Sequence, residues 1–286
     1  MTTVSMTAAV NEGAARKNTV GKRGIVPNAQ TLHRLTPERT RPYWALRWSG
    51  RIRAMQILAL DTSTEVCAVA LGDGVTWHEK SEVAGQRHSE LLLPMIRAVL
   101  ADGGVTLEQI DGIAFGVGPG SFTGLRIACG VAQGLALGAA LPVVGVSTLE
   151  AIAQTRREHA GGDRIIAALD ARMREVYVAA YERDSGRWRE VIAPMVVSPD
   201  AAPLPDGRGW IGAGSGFAAY ASLRERYGAA LSECDGAIVP SASAVGTLSL
   251  PRFAAGEGVP AHDAAPFYVR HRVALTIAER AAGLRQ

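Results

Sequence analysis

The chain has 286 residues, 48% of them hydrophobic and 20% charged, which excludes wholesale disorder and supplies apolar material for one large core or two smaller ones. The formal charge of +3 is unevenly spread: residues 1–54 hold ten basic side chains against two acids, a balance of +8, so the rest of the chain sums to −5. The positive charge that would suggest a nucleic-acid or membrane surface therefore belongs to the head alone. Cys67, Cys129 and Cys234 are far apart and form no C-x-x-C pair, which speaks against a disulfide framework or zinc knuckle and reads as buried thiols in a reducing compartment.

Residues 1–54 are interrupted by Pro27, Pro37 and Pro42 and keep no helical or strand period, so they read as a disordered head. The head lacks the apolar stretch of a secretory signal, although an Arg-rich, acid-poor lead is also the composition of a transit peptide. A start at Met55, where regular patterning begins, is the plainer expectation. The preference for Arg (27) over Lys (3) fits a GC-rich coding sequence in which upstream starts are easily miscalled.

From Met55 a short apolar run ends at Asp61-Thr62-Ser63-Thr64, and an alternating strand follows to a turn at Gly72-Asp73-Gly74, which predicts a β-hairpin with a hydroxyl-rich tip. Strand material continues over 75–83, and 89–100 reads as a helix that Pro94 bends or opens. A buried strand over 110–117 leads into a glycine-rich loop and a long apolar helix. No charged residue lies between Arg126 and Glu150, enough length for a membrane span, but Gly138, Pro142 and the β-branched Val143, Val144 and Val146 make this a helix-turn-strand unit of a globular domain.

The second half repeats the first. Ile165-Ile166-Ala167-Ala168-Leu169-Asp170 followed by Glu175-Val176 mirrors Ile57-Leu58-Ala59-Leu60-Asp61 followed by Glu65-Val66, which predicts two related α/β lobes. Residues 210–217 read as strand, glycine loop and helix, 245–250 as a short apolar segment, and 272–284 as an amphipathic helix.

The loop from Gly116 to Arg126 suits either an anion held by helix-start N–H groups or a tight turn capped by Ser121 or Thr123. It fits neither the P-loop nor the dinucleotide spacing. Candidate nucleotide- or anion-binding residues are Asp61, Thr62 and Ser63 at the first tip, Gly118, Gly120 and Ser121 in the loop, Asp170 at the second tip, and Gly212 and Gly214. In a duplicated fold Asp61 and Asp170 would face each other across a cleft. The tip at Asp61 also suits a plain Asx-type turn.

Gly130, Gly134 and Gly138 form a smooth helical stripe that admits another backbone closely. With Leu91, Leu92, Met95, Ile96 and Val99 of the 89–100 helix, they make the expected partner interface. No catalytic residue and no metal site is expected. The six histidines show no i, i+4 pair, and neither a Ser-His-Asp set nor a G-x-S-x-G elbow can be drawn.

Six segments then carry a family resemblance: Ile57-Leu58-Ala59-Leu60-Asp61-Thr62-Ser63-Thr64, Arg87-His88-Ser89-Glu90-Leu91-Leu92-Leu93-Pro94, Gly118-Pro119-Gly120-Ser121-Phe122-Thr123-Gly124-Leu125-Arg126, Val143-Val144-Gly145-Val146-Ser147-Thr148-Leu149-Glu150, Leu169-Asp170-Ala171-Arg172 and Tyr268-Val269-Arg270. In this order they resemble the TsaB (YeaZ) family of bacterial tRNA threonylcarbamoyladenosine biosynthesis. The resemblance implies a duplicated actin-like, sugar-kinase-like (ASKHA) α/β fold, with lobes expected at 55–160 and 161–286, the latter with a C-terminal helix.

The family is paralogous to TsaD, the catalytic subunit, whose metal is held by a His-Leu-Glu-Gly-His helix. Here the similar segment reads Thr148-Leu149-Glu150-Ala151-Ile152, so both ligand positions are lost. The resemblance implies a cytoplasmic, non-catalytic subunit that pairs with TsaD and recruits the ATPase TsaE. It needs no cofactor of its own, ATP and Mg being used by partner subunits, and tRNA is reached through the complex. A homodimer in the absence of TsaD stays open. An M22 glycoprotease activity has no support in the residues. The alternative is a self-sufficient nucleotide-using enzyme of the same fold, a small-molecule kinase or ATPase; a tRNA-tethering role for the basic head is a third reading.

Overall fold

The structure is a computed structural model and describes residues 54–270; the expectations for the head and for the 272–284 helix lie outside them. Its first sheet contains Ile57–Asp61 (β1), Val66–Gly72 (β2), Trp77–Val83 (β3), Gly112–Gly118 (β4) and Val143–Ser147 (β5), in the order β3-β2-β1-β4-β5. The second contains Arg164–Asp170 (β6), Val176–Asp184 (β7), Arg187–Val197 (β8), Trp210–Ala213 (β9) and Leu231–Asp235 (β10), in the order β10-β9-β6-β7-β8.

The two orders are one topology written twice. In each sheet the first strand pairs antiparallel with the second and parallel with the fourth, the second pairs antiparallel with the third, and the fourth pairs parallel with the fifth. The repeat around Asp61 and Asp170 is therefore a repeat of whole lobes, the duplicated α/β arrangement of the ASKHA fold.

Six α-helices cover these sheets among the described residues: His88–Asp102 (α1), Phe122–Ala139 (α2), Thr148–Ala160 (α3), Ser215–Ala219 (α4), Ala221–Tyr227 (α5) and Ala242–Ala254 (α6). Period-two alternation in β1 and β2 sends Leu58, Leu60, Val69 and Leu71 toward Leu92, Ile96 and Val99 of α1 and Ala128 and Ala132 of α2. It sends Ile57, Ala59, Ala68 and Ala70 to the other face, against Val245 and Phe253 of α6. Alanines on that face let α6 lie close to the strands. In the second lobe Ile165, Ala167 and Leu169 pack on Leu149 and Ile152 of α3, while Ile166 and Ala168 pack with Phe217 and Leu223 of α4 and α5.

Two expectations change here. The segment 245–250, read as short and apolar, lies inside the thirteen-residue α6. That helix also amends the lobe boundary: it falls within 161–286, yet it completes the core of the first lobe, because its apolar side chains match the alanine face of β1 and β2. Ala264, farther on, likewise joins the first core, accepting hydrogen bonds from Gln133 and Cys129 of α2.

Candidate functional site

The tip after β1 is turned inward. Asp61 is 1% exposed, and its Oδ1 accepts hydrogen bonds from the Ser63 N–H (2.9 Å) and Ser63 Oγ (2.7 Å). Its Oδ2 is buried with no hydrogen-bond partner, as is Oγ1 of Thr148, the first residue of α3. Gly116 in β4 makes room for the carboxylate, since a Cβ there would lie 2.0 Å from Asp61 Oδ2 and 3.7 Å from Thr148 Oγ1. Burial pushes the Asp61 carboxyl up to about 6, against the two Ser63 donors that favour the ionised form.

The glycine loop is packed onto this tip. Ser121 N–H donates to Ser63 O (2.7 Å), and Thr62 Oγ1 donates to Gly124 O (2.6 Å). A Cβ at Gly120 would sit 2.4 Å from Ser63 O, and one at Gly124 1.8 Å from Thr62 O. Ser121 Oγ accepts from Gly124 N–H (3.2 Å) and caps α2. Of the two readings of this loop, the capped turn describes its hydrogen bonds. Its glycines serve the approach of one loop to another.

At the second tip Asp170 Oδ1 accepts from Tyr220 OH (2.9 Å) and Arg172 N–H (2.8 Å), and Oδ2 from Arg172 Nη1 (3.1 Å). Burial and the bond to Asp170 together raise the Tyr220 hydroxyl above its usual range. Gly212 lies under the Phe217 ring, 2.8 Å from a would-be Cβ, and Gly214, at φ +103°, presses on Ala168 O. Both are packing glycines, which corrects their assignment as ligand contacts.

Between the lobes lies a cleft of about 1040 Å³. Of the candidate residues Ser63, Gly120, Ser121 and Asp170 line it; Asp61, Thr62, Gly118, Gly212 and Gly214 do not. The facing pair of aspartates is thereby corrected, because Asp61 is sealed beneath its own loop while Asp170 reaches the wall.

The site is also spanned by a strap that the sequence reading did not place there. Phe267 N–H donates to Val117 O (2.8 Å), and Tyr268 OH accepts from Arg126 Nε (2.9 Å), fixing the strap to the first lobe. Arg270 reaches Glu175 of the second lobe. Its only signal in the sequence was the Tyr268-Val269-Arg270 motif.

Of the two tip carboxylates, Asp170 accepts three protein hydrogen bonds at the cleft wall, and Asp61 is closed off from the cleft. Among the described residues no group of three His, Cys, Asp or Glu side chains could hold a metal ion.

The expected partner face divides in two. Leu92, Met95, Ile96 and Val99 are 8% exposed or less and lie in the first core, so they are corrected to core residues; Leu91 is half-buried. They point inward because the 3.6-residue period of α1 carries them onto one face, which an apolar tally could not resolve. Gly130, Gly134 and Gly138 are exposed, and a Cβ at any of them would meet nothing within 4 Å. Leu137, 74% exposed, stands beside them.

Residues 77–209 match the family model for TsaD, tRNA N6-adenosine threonylcarbamoyltransferase. The chain is 40% identical over 226 residues to the tRNA threonylcarbamoyladenosine biosynthesis protein TsaB of Escherichia coli, covering 77% of this chain and 96% of that one. It is 39% identical to TsaB of Haemophilus influenzae, over 77% and 95% of the two chains. Among solved structures it is similar to YeaZ from Pseudomonas aeruginosa, with a TM-score of 0.70 and 41% identity over 75% of this chain and 99% of that one. A second structure, described as an uncharacterized protein with similarity to peptidase YeaZ from the same organism, gives 0.71 and 41%, over 76% and 100%. The chain belongs to the TsaB family of tRNA threonylcarbamoyladenosine biosynthesis proteins.

Proposed function

We propose that the chain is the non-catalytic partner subunit in tRNA threonylcarbamoyladenosine formation. It pairs with TsaD through α2, recruits the ATPase TsaE, and supports transfer of threonylcarbamoyl from its adenylate to the adenosine next to the anticodon. The observation that carries this reading is the uncovered glycine face of α2. The helix has a mean hydropathy of 1.2, yet only 33% of it is buried, and its exposed side is nearly smooth. A second helix can approach such a surface to backbone contact, exchanging water for apolar packing along its length.

The absence of chemistry of its own is supported by the donor set. Thr148 and Ile152, both fully buried, stand where the paralogous subunit carries metal-binding histidines. Asp61 is buried beneath its loop with Ser63 on its Oδ1, and Asp170 at the cleft wall is held by Tyr220 and Arg172. These same occupancies disfavour a self-sufficient kinase or ATPase. On this reading the chain is cytoplasmic and needs no cofactor, while ATP and magnesium belong to its partners.

The experiment is reconstitution. The purified chain, added to TsaD, TsaE and the adenylate-forming enzyme, restores threonylcarbamoylation of tRNA while hydrolysing ATP negligibly by itself. Gly134→Leu abolishes co-purification with TsaD. Full pairing by that variant would move the interface elsewhere, and turnover of ATP by the isolated chain would favour the enzyme reading.

A further inference from the structure

The mouth of the cleft exposes an arrangement built from the first turns of α2 and the strap. Phe122 (45% exposed) and Tyr268 (39%) stand with ring centroids 5.4 Å apart, and the Arg126 guanidinium lies 3.8 Å over the Phe122 ring. The Arg126 Nε bond to Tyr268 OH holds these three planar groups together. On the opposite lobe Arg172, Met173 and Arg174 follow one another at φ +60°, +55° and +60°. Three successive left-handed residues without a glycine are sterically costly and persist only where the surroundings hold them. Here Asp170 accepts from the Arg172 N–H, Ala171 N–H donates to Glu175 O, and Glu175 N–H donates to Arg172 O. The strained turn delivers Arg172, with a side chain 85% exposed, and Arg174 to solvent.

The charges on this rim do not cancel. Asp170 is spent on Arg172 and Glu175 on Arg270. Arg126 and Arg174 have no carboxylate partner among the described residues, and Glu65 is the only acid lining the cleft besides Asp170. A domain that is acidic in sum thus sets Arg126 on the stacked rings of one cleft wall and Arg174 next to Arg172 and Met173 of the other. Flat π faces next to cations suit unpaired nucleotides, whose bases stack and whose phosphates pair with guanidinium groups. An acidic peptide would use the charges and leave the stack unused.

We infer that the cleft mouth binds unpaired RNA, with one base stacked on the Arg126–Phe122–Tyr268 group and a flanking phosphate on Arg174. The inference rests on the family's place in tRNA modification, and its aromatic group borders the glycine face, since Arg126 lies one turn before Gly130 on α2. The test uses the full chain and a labelled single-stranded RNA, followed by anisotropy, with ultraviolet crosslinks mapped by peptide mass spectrometry. Crosslinks are expected on peptides carrying Phe122 or Tyr268. Phe122→Ala weakens binding about tenfold, and Arg174→Glu lowers the salt slope by about 1. Arg174 makes no hydrogen bond or ion pair among the described residues, so its variant melts as the parent does and separates binding from folding. Crosslinks confined to residues 1–54, unchanged affinity in both variants, or equal competition by an acidic peptide would each overturn the inference. Retained co-purification of Arg174→Glu with TsaD, at a position outside α2, distinguishes loss of RNA from loss of the pairing surface.

Discussion

Asp61 Oδ2 occupies the space that a side chain on Gly116 would need, 2.0 Å from a Cβ built there. The two residues sit on neighbouring parallel strands, and the glycine is required by the buried carboxylate of its neighbour. Gly116→Ala forces either the carboxylate or β4 to move inside a packed sheet. An overpacking cost of about 3 kcal/mol follows, measurable as a lowered urea midpoint with an unchanged slope. A neutral outcome would mean that the carboxylate can swing out into the cleft.

The same carboxylate sets a pH dependence. Its folded pKa of about 6 lies above the ordinary 3.8, so the unfolded chain releases this proton more readily than the folded one. Stability is therefore undiminished below the unfolded value, falls as pH rises toward the folded value, and stays reduced above it. The full reduction is about 3 kcal/mol. Asp61→Asn keeps an acceptor for Ser63 and cannot ionise. Its stability relative to the parent should improve by about 2 kcal/mol between about pH 4.5 and about pH 8, read from urea unfolding at both. A constant difference would show that Asp61 is solvated in solution.

Leu92 and Gly134 separate folding from pairing. Leu92 is fully buried in the first core, and Leu92→Ala should cost about 2–5 kcal/mol of stability. Gly134 faces open space, so Gly134→Ala adds helix propensity and stabilises the isolated chain by about 0.5–1 kcal/mol. Thermal unfolding of the two variants should shift in opposite directions. A destabilised Gly134→Ala would show that the stripe is already covered, as in a self-dimer.

The lobes were legible because their signals are local. Alternation in β1 and β2 and its counterpart in β6 and β7 mark both hairpins, and the doubled Asp tip marks the duplication. What escaped is set by contacts between distant residues. Asp61 and Gly116 are 55 positions apart in sequence, Asp170 and Tyr220 are 50, and Arg126 and Tyr268 are 142. No local pattern states that a glycine exists for a carboxylate on another strand. The surplus of leucines in α1 could not be divided into core and surface before the sheet beneath it was known. The helix α6 hid its allegiance because its partners lie almost two hundred residues earlier.

Arg172, Met173 and Arg174 give a last measurable consequence of the backbone itself. Each adopts a left-handed conformation, at a cost of about 1–2 kcal/mol for an L-residue with a Cβ. Glycine removes that steric cost and adds about 0.5–1 kcal/mol of chain entropy to the unfolded state. At Arg174, whose exposed side chain makes no hydrogen bond or ion pair among the described residues, the balance should favour the folded chain by up to about 1 kcal/mol. Arg174→Gly is thus expected to raise the melting temperature while weakening RNA at the cleft mouth, a stabilisation gained where function is lost. Arg174→Ala, which keeps the Cβ and removes the charge, should weaken RNA equally and leave the melting temperature unchanged. If both variants melt alike, the turn relaxes in solution and presents its arginines without strain.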